Sequence, residues 1–132
     1  MLRGLSTVSF YAPDLDAAEK WYSEVLGLPA YYHVPGYTEF RIGDYEHELG
    51  IIDAQYAPPT RTDGLGGGIV FWHVDDLEAS LARLIELGAT LHEAPREHGP
   101  GFVTASVVDP FGNILGIMYN QHYLDTLASR SA

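Results

Sequence analysis

The chain carries one pattern twice, and that repeat constrains its fold more than any other feature. Thr7-Val8-Ser9-Phe10-Tyr11-Ala12-Pro13-Asp14-Leu15 aligns with Ile69-Val70-Phe71-Trp72-His73-Val74-Asp75-Asp76-Leu77, 62 residues further on. Val8/Val70, Asp14/Asp76, Leu15/Leu77 and Ala17/Ala79 are identities, and Phe10/Trp72 is an aromatic match. Each copy then runs through a helical stretch into Leu-Gly, at Leu26-Gly27 and Leu87-Gly88. A shared order of strand, acidic turn, helix and stop marks a duplicated unit.

Within each copy the strand rests on β-branched and aromatic residues in alternation. Val8 and Phe10 point one way, and Thr7, Ser9 and Tyr11 the other. The first helix is expected to begin near Asp14 to Asp16, where Asp16 with Glu19 fits a capping box. Leu15, Ala18, Tyr22, Val25 and Leu26 recur at helical spacing, and Gly27 suits a left-handed cap. The second helix is expected to start at Asp75 with Glu78 three residues on, to bury Leu77, Leu81, Leu84 and Ile85, and to stop at Gly88.

Short extended runs follow each helix. They fall at 30–34, 37–42 and 46–52 in the first copy, and at 90–93, 103–108 and 114–119 in the second. Pro35-Gly36, Gly43-Asp44 and Asp109-Pro110-Phe111-Gly112-Asn113 supply the turns. The organisation is therefore a βαβββ module at 1–53, a Pro- and Gly-rich linker at 54–66, a second βαβββ module at 67–120, and a tail of mixed helical character at 121–132. A module of about 55 residues buries too little surface to stand alone. The expected fold is α+β, with paired βαβββ modules forming curved, mixed but mostly antiparallel sheets around a cleft.

Composition narrows the function. Seven Lys and Arg face 18 Asp and Glu, a net charge of −11. No basic footprint exists for a phosphate backbone, and an anionic membrane would repel the surface, so neither nucleic acid nor membrane is an expected partner. Cysteine is absent, which excludes disulfides, thiolate metal sites and cysteine nucleophiles. No apolar run approaches the ~18 residues of a membrane span. Ser6 and Thr7 interrupt any signal-peptide core, so a cytoplasmic location is expected.

The duplicated βαβββ order, Asp14-Leu15 with Trp21-Tyr22 and Leu26-Gly27, and the late Asp109-Pro110-Phe111-Gly112-Asn113 turn together resemble the vicinal oxygen chelate superfamily. That superfamily includes glyoxalase I, extradiol dioxygenases, fosfomycin-resistance enzymes and bleomycin-resistance binding proteins. The resemblance covers about residues 4–120. It implies a glyoxalase-like fold, and a homodimer whose clefts are completed across a two-fold interface. Metal enzymes of the family carry His or Glu on the inner face of the first, fourth, fifth and eighth strands. The matching positions here are Thr7, Gly50 (with Glu48 two residues earlier on the same face), Ile69 and Gly116. Ile69 and Gly116 offer no side-chain donor, and a neutral threonine is a poor ligand for a divalent ion. No metal and no other cofactor is expected.

With ligands lost, the expected inner face reads as a small-molecule pocket: Thr7, Ser9 and Tyr11; Glu48 and Gly50; Ile69, Phe71 and His73; Ile114, Gly116, Met118 and Asn120; and Phe102 from a Gly-flanked loop. That set is mostly apolar with sparse polar groups to orient a guest. Gly116 would let a flat guest approach the backbone closely. His73 and Glu48 are the candidate bases, since imidazole can exchange a proton near neutral pH. Three readings follow. The first is a metal-free binder of a small aromatic or amphipathic molecule, like the bleomycin-resistance branch. The second is a lyase, isomerase or dioxygenase-type enzyme, either metal-dependent or using His73 or Glu48 as base. The third is a dimeric accessory domain with a vestigial cleft.

Overall fold

The computed structural model describes residues 1, 3–58, 64–66 and 68–131. Positions 59–63 of the expected linker, position 67 and the last residue lie outside the described residues. The chain forms two compact units, Met1–Leu65 together with Phe111–Asn113, and Gly66–Pro110 together with Ile114–Ala132.

The first unit runs β1 (Thr7–Ala12), α1 (Leu15–Leu26), β2 (Tyr32–Val34), β3 (Tyr37–Ile42) and β4 (His47–Asp53), followed by a single 3₁₀ turn at Ala54–Tyr56. Its sheet has the order β1-β4-β3-β2, with β1 parallel to β4 and the other pairs antiparallel. The second unit runs β5 (Phe71–His73), α2 (Leu77–Glu86), β6 (Thr90–Gly99), β7 (Phe102–Val108), β8 (Ile114–Asn120) and α3 (Gln121–Ser131). Its sheet order, β5-β8-β7-β6, repeats the first, with the one parallel pair again between the first and last strands. The βαβββ order expected from the repeat is present in both units.

Helices α1 and α2 are each capped by an Asp within two residues of the expected one. Asp14, not Asp16, is the N-cap of α1: its backbone is extended and its carboxylate accepts from the Ala17 N–H at 3.1 Å. Glu19 therefore closes no capping box and is released to other partners. Asp76 plays the same part for α2, accepting from the Ala79 N–H at 3.0 Å, while Asp75 is left to His73. These are the residues the repeat aligns, and an Asp side chain there satisfies an N–H that has no partner within the helix. Gly27 ends α1 at a φ of 71°, a left-handed value that suits glycine.

Under α1 the first core gathers Phe10, Tyr22, Phe40, Leu49 and Ile51, all buried. Phe40 and Ile51 are completely so, each stabilising the fold by about 2–3 kcal/mol relative to exposure. The Tyr22 ring lies edge-on to Trp21 at 4.8 Å. The second core joins Leu77, Leu81 and Leu84 of α2 to Ala105, Val107, Leu115 and Ile117. Ile85, expected in that stripe, is 44% exposed. It falls at i+8 from Leu77, at the margin of the apolar face, one residue before the helix ends.

Other elements differ from expectation for physical reasons. β6 extends through Gly99, past Pro95, because it is an edge strand whose pairing with β7 slips at three places and can spare a donor. β4 begins at His47 because Glu46 closes the preceding turn with a φ of 53°. The 121–132 tail holds a regular helix, α3. In the first unit, Asn113 works as a surrogate peptide group: its amide donates to Tyr11 O at 2.8 Å and accepts from Tyr11 N at 3.2 Å. Phe111 packs edge-on against Trp21 at 6.2 Å.

Candidate functional site

Alternation gives each sheet one face under its helix and one turned away. In the first unit the outward face is set by register: Thr7 lies beside Glu48, Ser9 beside Gly50 and Tyr11 beside Ile52, while Arg41, Glu39 and Tyr37 pair with Glu48, Gly50 and Ile52 from the other side. Thr7, Ser9, Tyr11, Glu48 and Gly50, expected together from the sequence, do share this face. Tyr37, Glu39 and Arg41 join them. Glu39 and Arg41 were not read from the sequence, although alternation between Pro35-Gly36 and Gly43-Asp44 places residues 37, 39 and 41 on one side.

The polar groups on this face satisfy one another. Thr7 donates its hydroxyl to Glu48 Oε1 at 2.6 Å. Tyr37 donates to Glu39 Oε1 at 2.7 Å. The hydroxyl end of the Tyr37 ring covers Gly50, since a Cβ there would fall 2.5 Å from its hydroxyl oxygen. Burial, the hydrogen bond to Glu39 and the nearby charges of Glu39 and Glu48 push the Tyr37 hydroxyl above the ordinary tyrosine range. The Arg41 guanidinium stacks over Tyr31 at 4.0 Å.

The second unit repeats the geometry with different chemistry. Phe71 and Ser106 flank Gly116, and His73 and Thr104 flank Met118. Phe102 pairs with Asn120 at the end of the face, and Ile69 precedes β5 without joining it. Gly116 is the register equivalent of Gly50, and it too is covered by a ring: a Cβ would meet Phe71 Cδ1 at 2.6 Å and the Val70 carbonyl oxygen at 2.7 Å. The expected bare approach to the Gly116 backbone is therefore taken by Phe71. Ser106 bonds to His92 Nδ1 at 2.9 Å and Thr104 to His98 Nε2 at 2.7 Å.

His73 is held on both ring nitrogens. Nδ1 accepts from the Asn120 N–H at 3.1 Å, and Nε2 lies 3.1 Å from Asp75 Oδ1. Its side chain is 8% exposed. Asn120 in turn accepts from the Tyr123 N–H at 3.0 Å, so both residues anchor α3.

A metal centre of the kind the resemblance implies does not fit the residues present. The Thr7 hydroxyl is engaged by Glu48, Gly50 and Gly116 lie under rings, and Ile69 has no donor. Among the described residues no group of three or more His, Asp or Glu side chains could hold an ion.

The comparisons agree with this architecture. The family model described as the Glyoxalase/Bleomycin resistance protein/Dioxygenase superfamily matches residues 4–117, and the chain belongs to that superfamily. A lactoylglutathione lyase structure from Agrobacterium tumefaciens is 25% identical, covers 93% of this chain and 98% of its own, and superposes with a TM-score of 0.70. A glyoxalase-related enzyme from Fulvimarina pelagi is 19% identical over 91% of this chain and 90% of its own, with a TM-score of 0.73. The bleomycin resistance determinant encoded on transposon Tn5 is 22% identical over 89% of this chain and 98% of its own, with a TM-score of 0.64. No curated protein matches the chain significantly. No helix among the described residues is long and apolar enough to cross a membrane.

Proposed function

We propose that this protein binds a small aromatic or amphipathic organic molecule without a metal ion. One observation carries the reading: at Gly50 and Gly116, matched to the family's ligand-bearing fourth and eighth strands, the space of a coordinating side chain is filled by an aromatic ring, Tyr37 in one sheet and Phe71 in the other. Rings with exposed faces offer apolar area and stacking in place of coordination. Phe71 is 37% exposed, and Tyr31 and Tyr32 more so. On the face of the first sheet Thr7, Ser9, Tyr11 and Glu48 offer polar groups to orient a guest, and on that of the second Met118 and Phe102 offer apolar area. A cytoplasmic homodimer with no nucleic acid or membrane partner belongs to the same reading.

Metal analysis of the purified protein, joined to a thermal-shift screen of planar organic molecules, tests it. The expected result is less than stoichiometric Zn, Ni, Mn or Fe, and a hit that at ~100 times its Kd stabilises by ~2.7 kcal/mol. A stoichiometric ion held by side chains overturns it.

A second reading has its own observation. Glu48 is held by the Thr7 hydroxyl on an outward sheet face, where it could act as a base toward a bound substrate, and one similar structure is a lactoylglutathione lyase. Glu48→Gln separates the two. Turnover lost with affinity retained makes the protein an enzyme, whereas a binder shows no turnover to lose.

A further inference from the structure

The C-terminal helix meets the second sheet in an unusual way. β8 ends at Asn120 and α3 begins at Gln121 with no connecting residue. The junction is fastened at several points. The Asn120 N–H donates to His73 Nδ1, Asn120 Oδ1 accepts from the Tyr123 N–H, and the Gln121 N–H donates to Gly101 O at 3.0 Å. Gly101 is required there, with a φ of 86° and a would-be Cβ only 3.0 Å from Gln121 Cβ. Beyond this first turn the helix is lightly held. Tyr123, Leu124 and Leu127 are half-buried and the other residues from 121 to 130 are exposed. A helix of 11 residues is marginal by itself, so α3 depends on its anchored end.

What that end covers is specific. The Tyr123 ring lies parallel to the His73 imidazole, 4.8 Å between centroids and 11° between planes, with Tyr119 5.5 Å from the same imidazole. His73 sits on the sheet face that also carries Phe71, Gly116 and Met118. Tyr123 therefore stacks where a flat ring resting on His73 would stack.

We infer that His73, with Tyr119 beside it, forms a stacking subsite for a planar, uncharged aromatic ring, and that Tyr123 occupies this subsite as the chain's own competitor. This rests on the binder reading for the identity of the guest, but not for the strap. A guest reaches the imidazole only when the first turn of α3 lifts, so its apparent affinity is reduced by the fraction of time the strap is open.

The test uses the full chain and its Tyr123→Ala, Tyr123→Phe and Asn120→Ala variants. Diethyl pyrocarbonate modifies unprotonated, accessible imidazole, and each histidine can be followed by peptide mass analysis. In the unaltered protein His73 is expected to react at least about tenfold more slowly than exposed His122, because reaction requires local opening. Tyr123→Ala removes the ring, and Asn120→Ala removes the acceptor that starts the helix. Both are expected to speed His73 while leaving His92 and His98 unchanged. Tyr123→Phe keeps the stack and is expected to keep the protection. The strap is overturned if His73 reacts as fast as His122 from the start, or if both alanine variants leave its rate unchanged.

The guest is probed with 1-naphthol, followed by its fluorescence. Tyr123→Ala is expected to bind it at least about threefold more tightly than the unaltered protein, the gain from removing a closed state. Equal binding by both overturns the competitor role and leaves the binder reading standing. Release of His73 with no naphthol bound by any variant overturns the stacking subsite while the strap remains.

Discussion

The outward faces of the two sheets are built on the same register and carry opposite chemistry. In the first, Thr7, Glu48, Glu39, Tyr37 and Arg41 form a polar surface whose hydroxyls and carboxylates are matched to one another. In the second, Phe71, Met118 and Phe102 contribute apolar side chains, and the polar groups include the hydroxyl–imidazole pairs at the β6 side and His73 with Asn120 at the other end. The helix-covered faces have not diverged in this way: Phe10 and Trp72, Leu49 and Leu115, Ile51 and Ile117 keep apolar character position by position. The lesson is that the repeat preserved what packs and released what faces outward. A glycine under a ring is an outward feature common to both.

That shared feature is the first place to break the comparison. Gly116→Ala is expected to cost about 3 kcal/mol and Gly50→Ala about 1 kcal/mol in urea unfolding, both within the usual range of overpacking. The asymmetry has a cause: at Gly116 one of the nearest contacts is the fixed Val70 carbonyl, whereas at Gly50 the three nearest atoms all belong to the Tyr37 side chain, which can swing away. Equal costs would show that the two seats are not different in kind.

Asn113→Ala comes next. It leaves the Tyr11 N–H and carbonyl without their amide partner, at a cost of about 2 kcal/mol by equilibrium denaturation. Asp14→Ala and Asp76→Ala sharpen the likeness instead. Each removes one side-chain cap of the same geometry, and each is expected to cost about 1 kcal/mol. Values differing by more than a factor of two would weaken the structural equivalence of the two helices.

The smallest effects are in pH. Glu19 accepts hydrogen bonds from the Thr38 hydroxyl and His33, and these hold its carboxyl below the ordinary carboxylate value, the Thr38 bond most and against an opposing contribution from burial. A depressed folded value means that its stabilisation is present above the unfolded value and is lost as pH falls through the folded one. Urea midpoints followed down from about pH 6 should therefore drop less steeply in Glu19→Gln. Tyr37 has the opposite sign. Its raised folded value leaves stability intact below the unfolded tyrosine value of about 10 and erodes it as pH rises above that, and Tyr37→Phe should flatten the alkaline limb.

Much of the fold was legible because its signals are local. Asp and Gly at the helix ends, the two alternating strands that open the repeat and the Asp109-to-Asn113 turn each announce themselves within a few residues. The misplacements were also local. Asp16 and Asp75 sit close enough to the true caps to mimic them, and Pro95 hides the continuation of an edge strand that does not need every donor. The site was harder. Thr7 and Glu48 could be guessed to share a face, but nothing in their own neighbourhoods says that they touch, nor that His73 spends both nitrogens on Asn120 and Asp75.

Sequence alone determined the doubled βαβββ order, the helix-facing residues apart from Ile85, the missing donors at Ile69 and Gly116, and the acidic charge, because periodicity, residue type and composition act without reference to distant parts of the chain. Only the tertiary structure decided that rings cover both glycines, that Asn113 stitches itself to Tyr11, and that Tyr123 lies on His73. Those contacts join residues between 13 and 102 positions apart, and strand register and helix docking, not local preference, bring them together.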